Sequence, residues 1–336
     1  MQRLMIGLIL ALALSLSASL AFARGPRNDG RIYIADYAAI ENPYRALART
    51  DSSSQVQAAL NDAGILKTTV IWPPGVIWLS KVNWPAGVTM VGAGRDYNGN
   101  GGTTIASTNK NAPMFILARG GPFKFSQATL QAGKYAVYAP DPINGLTLES
   151  VNWGVSNPSG AGIDLESTSN YPIHISDFVA SGGSYGIVAK NHMGNTIIEN
   201  GKFGSQTVYP IALLNSGAGH VTSQFITIRG IDFSMNKVPD IYMEGPVGMV
   251  EIDKIETERY VTKTNFPLAD IVFGPGNIGM VKVSNSVLGA NTKYSIYNAP
   301  GFTLLENDGL GVPVQTHDPR NVTAISVAGP TPLVVR

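Results

Sequence analysis

The sequence predicts an all-β fold, a parallel β-solenoid, and three observations carry that prediction. First, the segments YAVYAP, GIDLES, GIVAKN, PIALLN, DIYMEG, DIVFGP and SIYNAP align so that Val137, Ile163, Ile187, Ile211, Ile241, Ile271 and Ile296 share a column. Their steps of 24 to 30 residues lie in the range of solenoid repeats. Second, Leu148, Ile175, Ile198, Ile228, Ile252, Val283 and Leu304 form another column out of phase with the first, so each repeat holds two strands. Third, apolar residues alternate with polar or small ones, so that Ile226 and Ile228 face inward while Thr227 and Arg229 face out. A single repeat cannot bury its own apolar face, whereas repeats stacked about 4.8 Å apart share one core. A β-sandwich also has many short strands, but it requires no ladder of aliphatic residues at a repeating offset.

Taken in order, the chain starts with Arg3, runs uncharged from Leu4 to Ala23 and ends that run in Ala21-Phe22-Ala23. This is the pattern of a secretory signal peptide over residues 1–23, although an uncharged run of this length also fits a membrane anchor. The expected address is therefore secreted, periplasmic or cell-surface. Residues 24–50 show no clear period and read as a leader over the first coil. The spacing of Ser52 and Gln55 predicts a capping box. Val56, Ala59, Leu60 and Ala63 then fall on one helical face, with Gly64 placed to end the helix. A short helix there would close the open end of the core, or would be an ordinary surface helix. The β-helix domain is expected over 51–310, and a proline-bearing tail over 311–336 holds the glycosylation sequon at Asn321.

Among 336 residues there is no cysteine, which excludes a disulfide scaffold and a thiolate metal site. With 24 Lys and Arg against 23 Asp and Glu, no basic stripe exists to neutralise phosphates, so neither nucleic acid nor nucleotide is an expected partner. Asp96-Tyr97-Asn98-Gly99-Asn100-Gly101 matches the first half of a calcium loop, but Ser107 stands where the closing carboxylate belongs. A turn-rich loop is the competing reading, and no other cofactor is indicated.

From Thr68 onward the residues carry a family resemblance. The succession of SSSQVQAALNDAG, a strand, Pro73-Pro74-Gly75, a second strand, PAGVTMVGAG and Thr103-Thr104-Ile105 resembles the opening of pectate-lyase-superfamily proteins over about residues 51 to 105. The resemblance implies a single-stranded right-handed parallel β-helix with a short N-terminal capping helix. It also implies a polysaccharide, often an acidic one, as the partner, although some members are tailspikes. It transfers no catalytic residue. The paired-aspartate run of polygalacturonases is absent, as are the Arg-x-Pro-x-x-Arg of calcium-dependent pectate lyases and the Asp-Pro-His-Glu of alginate epimerases.

Candidate chemistry comes from the repeat alignment. Alternation predicts an outer row of Ala136, Gly162, Gly186, Pro210, Asp240, Asp270 and Ser295, one position before the first column. Asp240 and Asp270 would then sit on neighbouring coils with β-carbons about 5 Å apart. Repulsion would raise one pKa and leave an acid beside a base, as retaining glycoside hydrolysis uses. Aspartate at a strand start also caps turns, which is the alternative for both. Tyr242 and Glu244 share that face, and Tyr297 lies two coils beyond Tyr242, so these rings are candidates to stack on sugars. The charged stretch between Ile252 and Ile271 holds Arg259, Tyr260, Lys263 and Phe266, a candidate clamp for an acidic sugar or simply a solvated loop. A second outer row, Glu149, Ser176, Glu199, Arg229, Asp253 and Ser284, reads as a structural charge ladder. The next positions, Ser150 to Asn285 and Glu306, read as a turn ladder. The histidines are scattered, with His174 on an outer face beside Thr147 and Ile197. The expectation is an exported lyase or glycoside hydrolase on an acidic glycan, or alternatively a non-catalytic glycan-binding or surface structural β-helix. Nothing in the sequence sets the oligomeric state.

Overall fold

The computed structural model describes residues 25–41, 49–95, 101–167, 172–214, 223–234, 236–258, 267–289, 291–300, 302–306, 308–316, 322–325, 327–329 and 333–335. Within them the chain winds as a right-handed parallel β-helix. Eleven short parallel strands, from Val82–Trp84 to Leu333–Val335, make a front sheet. Seventeen strands make a back sheet that bends, so each coil contributes two legs to it. The bend is one residue in the left-handed region, repeated coil after coil as Gln127, Ser150, Asp177, Asn200, Gly230, Lys254 and Asn285 at φ of 51° to 61°. That conformation costs an L residue about 1–2 kcal/mol, least for Gly, Asn and Asp, which explains the composition of the column. Side chains stacked along the bend offset part of the cost. Ser150 Oγ donates to Asp177 Oδ2 at 2.5 Å, and Asn285 Nδ2 donates to Asp253 Oδ1 at 2.8 Å.

The first aliphatic column pairs in the predicted register from Val137 through Ile296. It extends to Phe115 at one end and Val314 at the other. The second column pairs as predicted from Leu148 to Val283. Its last member is corrected: Val283 pairs with Leu305, and Leu304 pairs with Lys282. A one-residue slip exchanges faces, and here it is the fully buried Leu305 that enters the core. Glu306 consequently pairs with Ser284 and continues the outer charge row, not the turn ladder.

Aromatic rings stack along the core from coil to coil. Trp153 stacks on Phe178 with centroids 4.9 Å apart, Phe178 meets Phe203 edge-on at 5.0 Å, and Phe203 stacks on Phe233 at 5.6 Å. The facing front-sheet positions are glycines. A β-carbon at Gly162 would lie 2.0 Å from Trp153 Nε1, and one at Gly186 would lie 2.4 Å from Phe203 Cε1. Large residues on one wall thus require the smallest residue on the other.

Helix α1 (Ser53–Leu66) closes the N-terminal end by burying Val56, Ala59, Leu60 and Ala63. The predicted capping box does not form. Asp51 Oδ1 instead accepts from the Ser53 amide at 2.9 Å and the Ser53 hydroxyl at 2.6 Å, while Gln55 accepts from Ser54. Gly64 lies inside the helix, at a position where a β-carbon would meet Pro85 Cβ at 2.9 Å, and Lys67, at φ 52°, ends the helix. Rungs also run past both expected boundaries. Ile32–Tyr33 pairs with Val70 and Ile71 ahead of the helix, and Val314–Thr316, Val322–Ile325 and Leu333–Val335 add rungs beyond Leu310. The signal segment, the calcium-like run 96–100 and Asn321 lie outside the described residues.

Candidate functional site

Several front strands depart from simple alternation. In Tyr135–Ala139 the first and fourth side chains are partly exposed and the other three are buried. Tyr135 and Tyr138 stack on the same outer side, their centroids 5.2 Å apart at 15°. The residue before the aliphatic column therefore faces the core and not the solvent, as the contacts of Gly162 and Gly186 with Trp153 and Phe203 require.

This geometry corrects the predicted Asp240 and Asp270 pair. The two residues do occupy neighbouring coils, joined by an Asp240 amide to Asp270 carbonyl bond of 2.8 Å. Their side chains are 1% and 0% exposed, turned inward at the corner that leads into the front sheet. Asp240 Oδ1 accepts from Asn236 Nδ2 at 3.0 Å, and Asp270 Oδ2 accepts the Gly289 amide. A polymer on the surface does not reach either carboxylate, and both tie the corner together.

The true outer rows lie elsewhere on the same strands. One runs Tyr135, Ala161, Tyr185, Tyr209, and the next runs Tyr138, Asp164, Val188, Ala212, Tyr242, Val272, Tyr297. Tyr242 and Tyr297 are thus where the alignment put them, two coils apart on the outer face. Tyr209 and Tyr242 stack with centroids 4.6 Å apart at 11°, and Tyr294 and Tyr297 meet at 5.6 Å. The tyrosines pack with Ala161, Val188, Ala212, Ala269 and Val272 into two apolar clusters outside the main core. In both clusters of this strip the alanines and valines are buried on the outer side of the front sheet, beneath tyrosine rings that are mostly only partly exposed.

Charged groups edge the strip. Glu244 accepts the Tyr242 hydroxyl at 2.8 Å, and burial followed by this bond raises the Tyr242 pKa. Two coils earlier, Lys190 Nζ donates to Asp164 Oδ2 at 3.2 Å and bonds Glu166 as well. Asp164 is 1% exposed, and its Oδ1 is cut off from water without a well-formed hydrogen bond. Burial pushes its carboxyl pKa up, outweighing the opposing pull of Lys190. Burial also pulls the Lys190 ammonium down, but the bonds to Glu166 and Asp164 win and keep its pKa above the ordinary lysine value.

Arg259, Tyr260, Lys263 and Phe266 lie outside the described residues. On the back sheet the outer row pairs as predicted, and Arg229 reaches Glu199 at 2.5 Å. His174 joins Glu199 at 2.8 Å, a contact that the sequence did not indicate. The bonds from His174 and Arg229 outweigh desolvation and hold the Glu199 carboxyl below its usual range. Asp164, Glu166, Lys190, Tyr138, Tyr185 and Tyr209 were missed in the sequence. The signal for four of them was present: reading the row of Tyr242 back toward the N-terminus passes through Val188 and Asp164 to Tyr138, and Glu166 and Lys190 follow two residues after that row.

No protein-family model matches the chain, and no curated protein sequence matches it. Among solved structures, it is similar to a DFA-IIIase from Arthrobacter chlorophenolicus A6 in complex with GF2, at a TM-score of 0.65 and 8% identity over 91% of this chain and 88% of that one. It is similar to a surface adhesin of Streptococcus pneumoniae at a TM-score of 0.56 and 11% identity, covering 88% and 89% of the two chains. The A-module of a mannuronan C-5 epimerase from Azotobacter vinelandii matches at a TM-score of 0.51 and 14% identity over 89% and 99%. At these identities the likeness establishes the β-helix fold.

Proposed function

We propose that this chain is a saccharide-binding β-helix that lays a glycan along the outer face of its front sheet. The observation that carries the reading is the tyrosine strip, in which the partly exposed rings of Tyr135, Tyr185, Tyr209, Tyr242 and Tyr297 pack with buried alanine and valine of neighbouring coils. Sugar rings offer apolar C–H faces to such rings, while the phenol tips, Glu166, Lys190 and Glu244 supply hydrogen bonds at the edge. Charge on the strip is balanced. Lys190 is engaged by two carboxylates, and Lys134 and Lys293 lie 5.0 Å and 5.3 Å from the ring centres of Tyr135 and Tyr294. An uncharged glycan suits this face better than a polyuronate. The GF2 in the structurally similar DFA-IIIase supports a saccharide ligand on this fold, and export by the N-terminal segment would bring the protein to extracellular glycans.

A second reading, glycoside hydrolysis at the same place, would use the partly exposed Glu166 at the edge of the strip, since Asp164 is buried behind Lys190. Affinity electrophoresis of the full chain through a panel of neutral glycans and polyuronates, with product analysis, separates the readings. Retardation by a neutral glycan without cleavage is expected, and new reducing ends would support hydrolysis. Tyr138→Ala combined with Tyr185→Ala should weaken retention about tenfold. Retention by no glycan, or retention unchanged in that double variant, would overturn the proposal.

A further inference from the structure

We propose a second saccharide site, for an acidic sugar, in a groove on the second leg of the back sheet, away from the tyrosine strip. The groove has a volume of about 440 Å³, within the roughly 300–1,000 Å³ of ligand clefts. Its floor is one outer row across successive coils, Trp78, Ala106, Gln131, Gly154 and Ser181, in register. Small residues there leave a smooth trough, and Gln131 offers an exposed amide.

Two cations line the groove, Arg49 and Lys110, and among the described residues no carboxylate does. The Arg49 guanidinium sits over the Trp78 ring, 5.1 Å from its centre, with its backbone held in the left-handed region at φ 38°. Glu41, which accepts the Trp78 indole N–H at 2.8 Å and the Thr50 amide at 3.1 Å, fixes the ring from outside the groove. Asp51 is likewise engaged, by Ser53 and by the Ser80 amide. Among the described residues neither Arg49 nor Lys110 has an ion-pair partner. A planar guanidinium stacked on an indole, a second cation and an amide along a small-residue trough match a sugar ring bearing a carboxylate or sulfate. The front face, with its balanced charge, is poorly suited to such a ligand.

Tryptophan fluorescence tests the site on the intact protein. Of the four tryptophans, Trp72, Trp84 and Trp153 are 0%, 0% and 3% exposed, so acrylamide quenching reads chiefly Trp78. Trigalacturonate or a sulfated disaccharide should shield Trp78 from the quencher, whichever of the two does so identifying the acid, while an uncharged trisaccharide should not. Arg49→Ser and Lys110→Ser, both surface changes, should each weaken the acidic ligand about fivefold. Tyr185→Ala on the front face should leave this titration unchanged even though it impairs glycan retention, so the two sites fail independently. Shielding by neither acid, equal shielding by the neutral sugar, or unaltered affinity in both serine variants would overturn the assignment.

Discussion

Replacing Lys190 with methionine should lower the stability of the fold by about 3 kcal/mol at pH 7, because it leaves the buried Asp164 carboxyl without its counter-charge. The effect has a definite pH dependence. The folded-state pKa of Asp164 already lies above its unfolded value, so the ionised form costs stability, and that cost appears as pH rises through the folded pKa. Losing Lys190 raises that pKa further. The variant should therefore be close to wild type near pH 4 and fall away from it toward neutrality. Adding Asp164→Asn removes the buried charge and should recover most of the loss, a coupling that a double-mutant cycle reads directly. Denaturant melts at both pH values check this, and a Lys190→Met chain within about 0.5 kcal/mol of wild type at pH 7 would show that Asp164 needs no partner.

The second large effect concerns the core. Gly162→Leu should destabilise by about 3 kcal/mol or more, since a side chain there must displace the Trp153 indole, which is itself stacked on Phe178. Gly154→Ala is the control, because a β-carbon at that position meets only Ser181 Oγ at 3.4 Å. Shrinking the opposing ring, Trp153→Val, should be less harmful in the Gly162→Leu chain than alone, since the leucine then occupies space the indole vacates. If Gly162→Leu melted like wild type, the inward direction of that whole row would be wrong, and with it the interior placement of Asp240 and Asp270.

The fold was largely legible because burial in a β-helix repeats. Val137 to Ile296 each contribute one aliphatic side chain to the same dry interior, and their spacing survives insertions in the turns. The N- and C-terminal rungs were not legible, because Ile32–Tyr33 and Val314–Thr316 are too short to show a period. The site was half legible. Tyr242 and Tyr297 follow from the column, but strict alternation was applied to strands whose second and third residues both point inward. Ala136, Gly162 and Gly186 held the warning. A solvent-facing row has no reason to be small, whereas a row packed against Trp153 and Phe203 has to be. The pairing of Lys190 with Asp164 links residues 26 positions apart, and only the coil register brings them together.

On the proposed function, the outer face of the front sheet receives a glycan. Hydroxyl-radical footprinting of the full chain, read by mass spectrometry at each tyrosine with and without the best-retained neutral glycan, tests it most directly. Protection should concentrate on Tyr138, Tyr185, Tyr209 and Tyr242, and leave Tyr33, near the N-terminal end, as reactive as before. Protection confined to other residues, or unchanged oxidation of all four strip tyrosines at saturating glycan, would contradict it.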